Sequence, residues 1–254
     1  MKAFKGLLRK DLKITTGYFY SILIFIVIAY TAGWVLSGYY STSMLVGTIS
    51  FALIIAHVIY LPGSVLTSLN LEGKTQLWLH NPSSSVQLLL SKLVASSLLS
   101  LCSTVLITII TILSITVLAE FQEMFSAVDI VMIAVAIWWI SFYLSIWVIF
   151  YWTVFHSLAG ILWLKKFRWF VLIAIWWGWE LLKGWIGKIA FIKDLKEIGM
   201  INLNRAFQME TGSNSLQASF ETADISVFVL AGYCVTALLL FWLSSWLLDK
   251  KVEV

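Results

Sequence analysis

The sequence predicts an all-α fold, a polytopic membrane protein of six transmembrane helices, and three observations predict it. Hydrophobic residues make up 61% of the 254 residues and charged residues 12%. A soluble domain with that composition would have too little polar surface to cover itself. Mainly apolar runs of about 20 residues recur along the chain, the helix length that crosses a hydrocarbon core of about 30 Å. Polar stretches interrupt them, and the most distinctive is the island at 70–93, which carries Glu72, Lys74, His80 and Lys92.

The chain opens with Lys2, Lys5, Arg9, Lys10 and Lys13 against the single acid Asp11, while Phe4, Leu7, Leu8, Leu12 and Ile14 share a face. That pattern predicts an interfacial amphipathic helix over 2–16, retained because no small-residue cleavage pattern ends the following span. The first span is placed at 18–36, between tyrosines suited to headgroup depth. The second, at 44–66, contains His57 and has Pro62 near its inner end, where a kink is tolerated in a bundle. After the island, which reads as a short amphipathic helix, a turn and the polar start of the next span, the third runs over 93–119. There Ser97, Ser100, Thr104, Thr108 and Thr111 recur at three- and four-residue steps and share one face, either for close helix packing or as the lining of a pathway.

Glu120, Glu123 and Asp129 form an acidic loop without Lys or Arg, which places it outside. The fourth span, 130–152, is dense in aromatics, and the stretch from 129 to 165 is too long for one crossing, so 156–164 is expected to bend away or continue as a shallow helix. Lys165, Lys166 and Arg168 mark a cytoplasmic turn before the fifth span at 169–190, an extracellular segment at 191–224 with a turn at 212–215, and the last span at 225–248. All of this is read as one transmembrane domain, 1–254. Most of the 17 lysines and arginines then fall on one side, which puts both termini in the cytoplasm. Cys102 and Cys234 lie deep in spans and read as small buried apolar residues rather than a disulfide.

The net charge of +4 is an orientation signal, without the basic stripe of a soluble nucleic-acid binder. Gly73-Lys74-Thr75 falls short of a phosphate loop, because Ser68 stands where the first glycine is needed and Leu69 and Leu71 crowd the cradle. His57, His80 and His156 have no metal-ligand spacing, and no nucleophile elbow is present, so no catalytic residue and no metal site are assigned. Glu180 is the one acid well inside an expected span. Lys183 lies three residues on, so the two make an intrahelical ion pair facing the bundle, lie at the outer mouth if the helix is short, or form a gate or substrate contact in a pathway. Together with Ser100, Thr104 and Thr108 they are the candidate pathway residues.

The island resembles the loop between the second and third spans of the permease subunits of type-2 ATP-binding-cassette exporters. The matching residues are Glu72, Gly73, Thr75, Leu77, Trp78, Leu79, Asn81, Pro82, Ser83, Leu88, Leu89, Leu90 and Lys92; Lys74 and Trp78 stand where related loops vary. The resemblance implies that 70–84 is a cytoplasmic coupling loop with a coupling helix, docking with the amino-terminal helix on a separate nucleotide-binding ATPase subunit. It implies that this partner, and not this chain, binds ATP and Mg. Leu77, Trp78 and Leu79 would be the apolar knob, flanked by Gly73, Thr75, Asn81 and Pro82, with Glu72 and Lys74 pairing with charges on the ATPase. A second permease subunit, identical or not, would complete a transporter in the plasma membrane of a bacterium, surrounded by membrane lipid and exporting an amphipathic peptide, drug or lipid. In that family the segment after the fifth span often dips back into the outer leaflet, which 184–203 could do here. A different class, a non-transporting immunity or assembly protein of the membrane, fits the same composition without an ATPase.

Overall fold

The computed structural model describes residues 2–42, 44–75, 83–117, 126–160, 163–189, 191–192, 195, 199–211 and 216–251. It is helical apart from one hairpin. The helices are α1 (Lys2–Tyr40), α2 (Met44–Ala56), α3 (Tyr60–Thr75), α4 (Ser85–Val117), α5 (Ala127–Ser157), α6 (Arg168–Ile186) and α7 (Val227–Lys251), with a short 3₁₀ turn at Leu158–Gly160. Strands β1 (Met200–Thr211) and β2 (Leu216–Ser226) lie between α6 and α7. Four helices, α1, α4, α5 and α7, are long and apolar enough to cross a bilayer, and α2 with α3, taken as one bent span, gives a fifth. By the same measure α6, with Glu180 and Lys183 among its tryptophans, falls outside that set. The molecule is therefore a helical protein built to sit in a membrane.

Two boundaries differ from those the sequence suggested. No break separates an interfacial helix at 2–16 from a first span at 18–36: α1 is one helix of 39 residues. Nothing in the sequence stops it, since it contains no proline, and Thr15 and Thr16 bond back to the carbonyls of Asp11 and Leu12 within the helix. It ends at Ser41, whose φ of 50° is the left-handed geometry of a helix C-cap.

The second span does not stop at residue 66 before a loop at 70. Helix α2 breaks over 57–59 with a bend of 44°, and α3 then runs on to Thr75. The break lies one turn before Pro62, whose ring displaces the carbonyl of residue 58 and whose nitrogen cannot donate to it. Tight turns carry the chain through, with the amides of Val58, Ile59 and Tyr60 donating to the carbonyls of Ile55, Ala56 and His57.

The chain divides into two compact units, Met1–Trp152 and Thr153–Glu253. In the first, α4 packs on α1, α2 and α3. Polar contacts give the directions. Asp11 meets Ser91 and Tyr30 meets Ser114, so α1 and α4 are parallel. Ser64 meets Ser96 and His57 meets Ser103, so α3 is antiparallel to α4. Ser141 reaches the His57 carbonyl and Trp152 reaches Asn70, so α5 runs with α3. Unit one is an up-down-up-down arrangement whose basic end holds Lys5, Arg9, Lys13 and Lys74, all exposed. Helix α5 begins at the opposite end on a reciprocal cap, Ser126 and Asp129 each accepting from the other's amide.

In the second unit α5 gives way to the 3₁₀ turn at 158–160, as its length required. The segment at 191–224 contains the antiparallel pair β1–β2, with Phe207 opposite Phe220, Met209 opposite Ala218 and a bulge between Leu203 and Ala206, while the turn expected at 212–215 lies outside the described residues. Apolar residues alternate along β1 at Ile201, Leu203, Phe207 and Met209, the period of a strand. Gly199, at φ 72°, turns the chain into it. Of residues 184–203, which could dip back into the outer leaflet, the last four belong to β1, and 190, 193–194 and 196–198 lie outside the described residues.

Side-chain placement follows the surroundings. Cys102 and Cys234, expected inside, are exposed on α4 and α7, where the outer face of a membrane helix is as apolar as its core. Of the α5 aromatics, Trp147, Phe150 and Trp152 are buried and Trp139 is exposed, while α6 buries none of its side chains.

The packing of α1 on α3 makes a prediction. A Cβ on Gly63 would come within 2.5 Å of the Tyr18 hydroxyl, whereas one on Gly6 meets nothing within 4 Å. Gly63→Ala should lower the thermal unfolding midpoint of the purified protein by several degrees, and Gly6→Ala should leave it unchanged or raise it slightly, as the helix preference for Ala favours. Equal midpoints for the two variants would show that α1 and α3 are not in contact there.

Candidate functional site

At the basic end of unit one, α1, α3 and α4 converge on a buried charge cluster. Lys92, on the second turn of α4, is fully buried, and so are Asp11 of α1 and Glu72 of α3, each 1% exposed. The Lys92 ammonium donates to Asp11 Oδ1 at 3.1 Å and to Ser68 Oγ at 3.2 Å, and lies 2.7 Å from Glu72 Oε2. An ammonium has three N–H donors, and here it meets three acceptors. Asp11 Oδ2 accepts from Ser91 Oγ at 2.5 Å. Glu72 Oε1 accepts from Lys10, whose side chain is 35% exposed and reaches the cluster from its edge.

Two lysines and two carboxylates make the cluster formally neutral. That balance is what allows it to be buried, because an isolated charge in such surroundings costs several kcal/mol or more. The local sequence delivers the groups: Leu7, Asp11 and Thr15 are buried at four-residue steps on α1, as are Ser64, Ser68 and Glu72 on α3. On α4, Lys92 sits within the apolar group Leu88, Leu89, Leu93 and Ala95, all buried.

Above the cluster a polar seam continues along α4. Ser64 Oγ donates to Ser96 Oγ at 3.1 Å. His57, in the α2–α3 break, places Nδ1 2.7 Å from the Leu53 carbonyl and Nε2 3.0 Å from Ser103 Oγ. A carbonyl only accepts, so Nδ1 carries the proton and Nε2 accepts from Ser103. Tyr60 stacks on the His57 ring, and Tyr18 meets Tyr60 edge-on. At the far end Tyr30 Oη lies 2.7 Å from Ser114 Oγ.

The sequence-derived candidates are distributed as follows. Glu72, expected to pair with charges on a partner, is turned into the bundle and paired within the chain. Gly73, rather than breaking a helix, lies inside α3, and a Cβ on it would come 3.1 Å from the Trp152 ring. Lys74 is exposed near the end of α3, and Thr75 is its last residue. Leu77, Trp78, Leu79, Asn81 and Pro82 lie outside the described residues. Ser100, Thr104 and Thr108 are all buried on the α4 face turned to the bundle, as their spacing suggested. Thr108 bonds back to the Thr104 carbonyl, while the Ser100 and Thr104 hydroxyls have no hydrogen-bond partner. Glu180 and Lys183 form the intrahelical pair at 2.7 Å, with both side chains exposed. Among the described residues no group of His, Cys, Asp and Glu is arranged to hold a metal ion.

Asp11, Lys10, Ser68 and Ser91 were not among the candidates. A signal for Asp11 was present: it is the one acid of the basic segment and falls on its apolar face, in phase with Leu7. An acid on one apolar face and Lys92 on another, in a chain with few charges, call for each other.

The fold and this cluster define a polytopic helical membrane protein with a buried, charge-neutral joint between its first three spans. In sequence the chain is 28% identical, over the full length of both, to an uncharacterized protein, YhcE, of Bacillus subtilis. No family model and no solved structure matches it.

Lys92→Met should cost about 3–5 kcal/mol of stability, because it leaves Asp11 and Glu72 buried with only Lys10 beside them. Replacing the set together, Asp11→Leu with Glu72→Met and Lys92→Met, should recover at least half of that loss, since apolar packing of similar volume carries no desolvation penalty. Lys74→Met, at an exposed position, should change stability by less than about 0.5 kcal/mol. Unfolding of the detergent-solubilised variants measures all three, and a harmless Lys92→Met would contradict the cluster.

Proposed function

We propose that the chain is the membrane-spanning permease subunit of an ATP-binding-cassette exporter, coupling ATP hydrolysis in a separate nucleotide-binding chain to export of an amphipathic substrate. One observation carries the reading. The stretch that resembles a coupling loop leaves α3 one turn after Glu72 and enters α4 two turns before Lys92, and Lys92 is tied both to Glu72 and to Asp11 of α1. A push on residues 76–84 is therefore delivered to three helices at once. The basic end of the bundle, with exposed Lys5, Arg9, Lys13 and Lys74, supplies the matching orientation, since basic residues are retained on the cytoplasmic side.

In this reading α6 is the remaining span, giving six, with both termini in the cytoplasm of a bacterium. A homologue of full length in Bacillus subtilis fits that setting. The β1–β2 hairpin is then extracellular, and it is too small for a large carbohydrate-binding attachment. The apolar, aromatic-rich spans favour an amphipathic cargo such as a peptide, drug or lipid. Leu77, Trp78 and Leu79 form the apolar knob on the ATPase, and Lys74 contributes a surface charge. Glu72 braces the loop from inside. A second permease subunit, identical or different, completes the transporter, and ATP and Mg belong to the partner chain.

The test is affinity purification of the intact chain from membranes under mild detergent, with the co-purifying chains identified by mass spectrometry. A subunit bearing nucleotide-binding motifs should be retained, and Leu77→Ala with Trp78→Ala should reduce its recovery at least tenfold while the permease itself still folds. If no ATPase accompanies the intact chain, the exporter reading falls, and an immunity or assembly role, which needs no such contact, takes its place.

A further inference from the structure

We infer that α3 has two registers on α4, one helical turn apart, and that Lys92 is the pin common to both. The facing stripes of the two antiparallel helices repeat at the same interval. Ser64, Ser68 and Glu72 on α3 face Lys92, Ser96, Ser100 and Thr104 on α4, each series advancing by four residues, and all seven are buried. A slide of one turn, about 5.4 Å, therefore sets polar group against polar group at each of these rungs, while the His57–Ser103, Trp152–Asn70 and Lys10–Glu72 contacts of the register seen are given up.

In the register seen, Ser64 meets Ser96. The next rungs outward are vacant: Ser100 Oγ, Thr104 Oγ1 and Tyr60 Oη are buried without hydrogen-bond partners. Unpaired buried hydroxyls are unfavourable. Moving α3 outward by one turn sets Ser64 level with Ser100, Ser68 level with Ser96 and Tyr60 level with Thr104, so the vacant groups become the contacts. Lys92 already spans the two registers, holding Ser68 and Glu72, which lie a turn apart on α3.

The travel brings Thr67 to the place that Gly63 holds against the Tyr18 hydroxyl, so it requires the Tyr18 side chain to turn aside. Helix α3 is uncoupled from α2 by the break at 57–59, and a deeper bend there takes up the displacement. Beside the break lies a recess of about 170 Å³ lined by Tyr18, Ile22, Phe25, Leu53, His57 and Tyr60, which gives the bend room. Helices α1 and α4, by contrast, are held together at both ends, by Asp11 with Ser91 and Lys92 and by Tyr30 with Ser114. They form the fixed rail. A helix stepping by a turn between discrete packings is an established form of switching, and buried polar groups are best known for fixing register.

This inference deepens the exporter reading by naming the moving part behind the loop, and only its driving force rests on that reading. Its test uses the full chain in native membranes, without nucleotide. In a Cys102→Ala, Cys234→Ala background, three cysteine pairs are introduced: Ser64→Cys with Ser96→Cys, Ser64→Cys with Ser100→Cys, and Ser68→Cys with Ser96→Cys. Each pair is oxidised and the fraction protected from a thiol reagent is measured; a disulfide needs Cα atoms within about 7 Å, which separates positions one turn apart. The first pair reports the register seen, and the other two report the shifted one. Two registers predict protection of all three, with both shifted pairs reaching at least one tenth of the first. The idea is overturned if the first pair alone is protected, if the two shifted pairs disagree, or if the first pair fails to close. Absence of an ATPase partner would leave these outcomes untouched, so the two proposals fail separately.

Discussion

The ammonium of Lys92 is the point on which the first unit depends. Four ionised groups lie at the meeting of three helices, and they can lie there only as a balanced set: removing any one leaves a net charge where water is excluded. This constraint reaches outward along each helix. Because Asp11 must be inside, the basic segment of α1 cannot lie flat in the interface as a separate amphipathic helix. Its apolar face is committed to α3 and α4, and Lys5, Arg9 and Lys13 are left outward on the opposite face. The same commitment keeps α3 helical past Ser68 as far as Glu72.

Apolar packing alone would hold these helices at less cost in desolvation, so the charges have to be understood by what apolar groups do not supply. Leucine against leucine tolerates small slides and rotations, whereas carboxylates and an ammonium define discrete positions. Between α1 and α4 the side-chain hydrogen bonds among the described residues lie near the two ends, Asp11 with Ser91 and Lys92 and Tyr30 with Ser114, and the pair is held as one piece. Along α3–α4 polar groups occur at every turn, and the pair is held in steps. The distribution of hydroxyls, more than their number, separates the stationary pair from the one that can shift.

Much of this was legible in the sequence and some was not, for identifiable reasons. Helix lengths and composition set the membrane class, and the four-residue spacing of Ser100, Thr104 and Thr108 placed a polar face on α4 that the structure turns inward. The bend of the second span follows from Pro62. What misled was a local reading of polar residues. Glu72 and Gly73 stand in a polar island, and island residues read as surface; yet Glu72 is drawn inside by Lys92, twenty positions on, and Gly73 is drawn against Trp152, further still. Such pairings are set by tertiary contact between helices, which single-helix periodicity does not encode. Asp11 was misjudged in the same way, as one charge among many in a basic segment, although its phase set it apart from the lysines. The β1–β2 hairpin was passed over because its alternation is interrupted at Arg205, beside the bulge that shifts the register between Leu203 and Ala206.

The continuity of α1 has a consequence for how the two ends of the bundle communicate. At 39 residues and about 1.5 Å per residue it is about 58 Å long, while a hydrocarbon core is about 30 Å thick. The excess includes the basic end, which places Asp11 and its partners near one boundary of the membrane, where a part-exposed Lys10 can complete the set from the edge. An unbroken helix is stiff over this length. A displacement imposed at Asp11 reaches Tyr30, about 28 Å away along the axis at that rise, without an intervening hinge. The bent α2–α3 span has no such stiffness, because the break at 57–59 divides it. The same charged joint is therefore attached on one side to a rod that transmits motion and on the other to a lever that can absorb it. Three spans held at one ammonium need not move alike: the direction in which α1 carries a push is fixed by its length, and the freedom of α3 is fixed by Pro62.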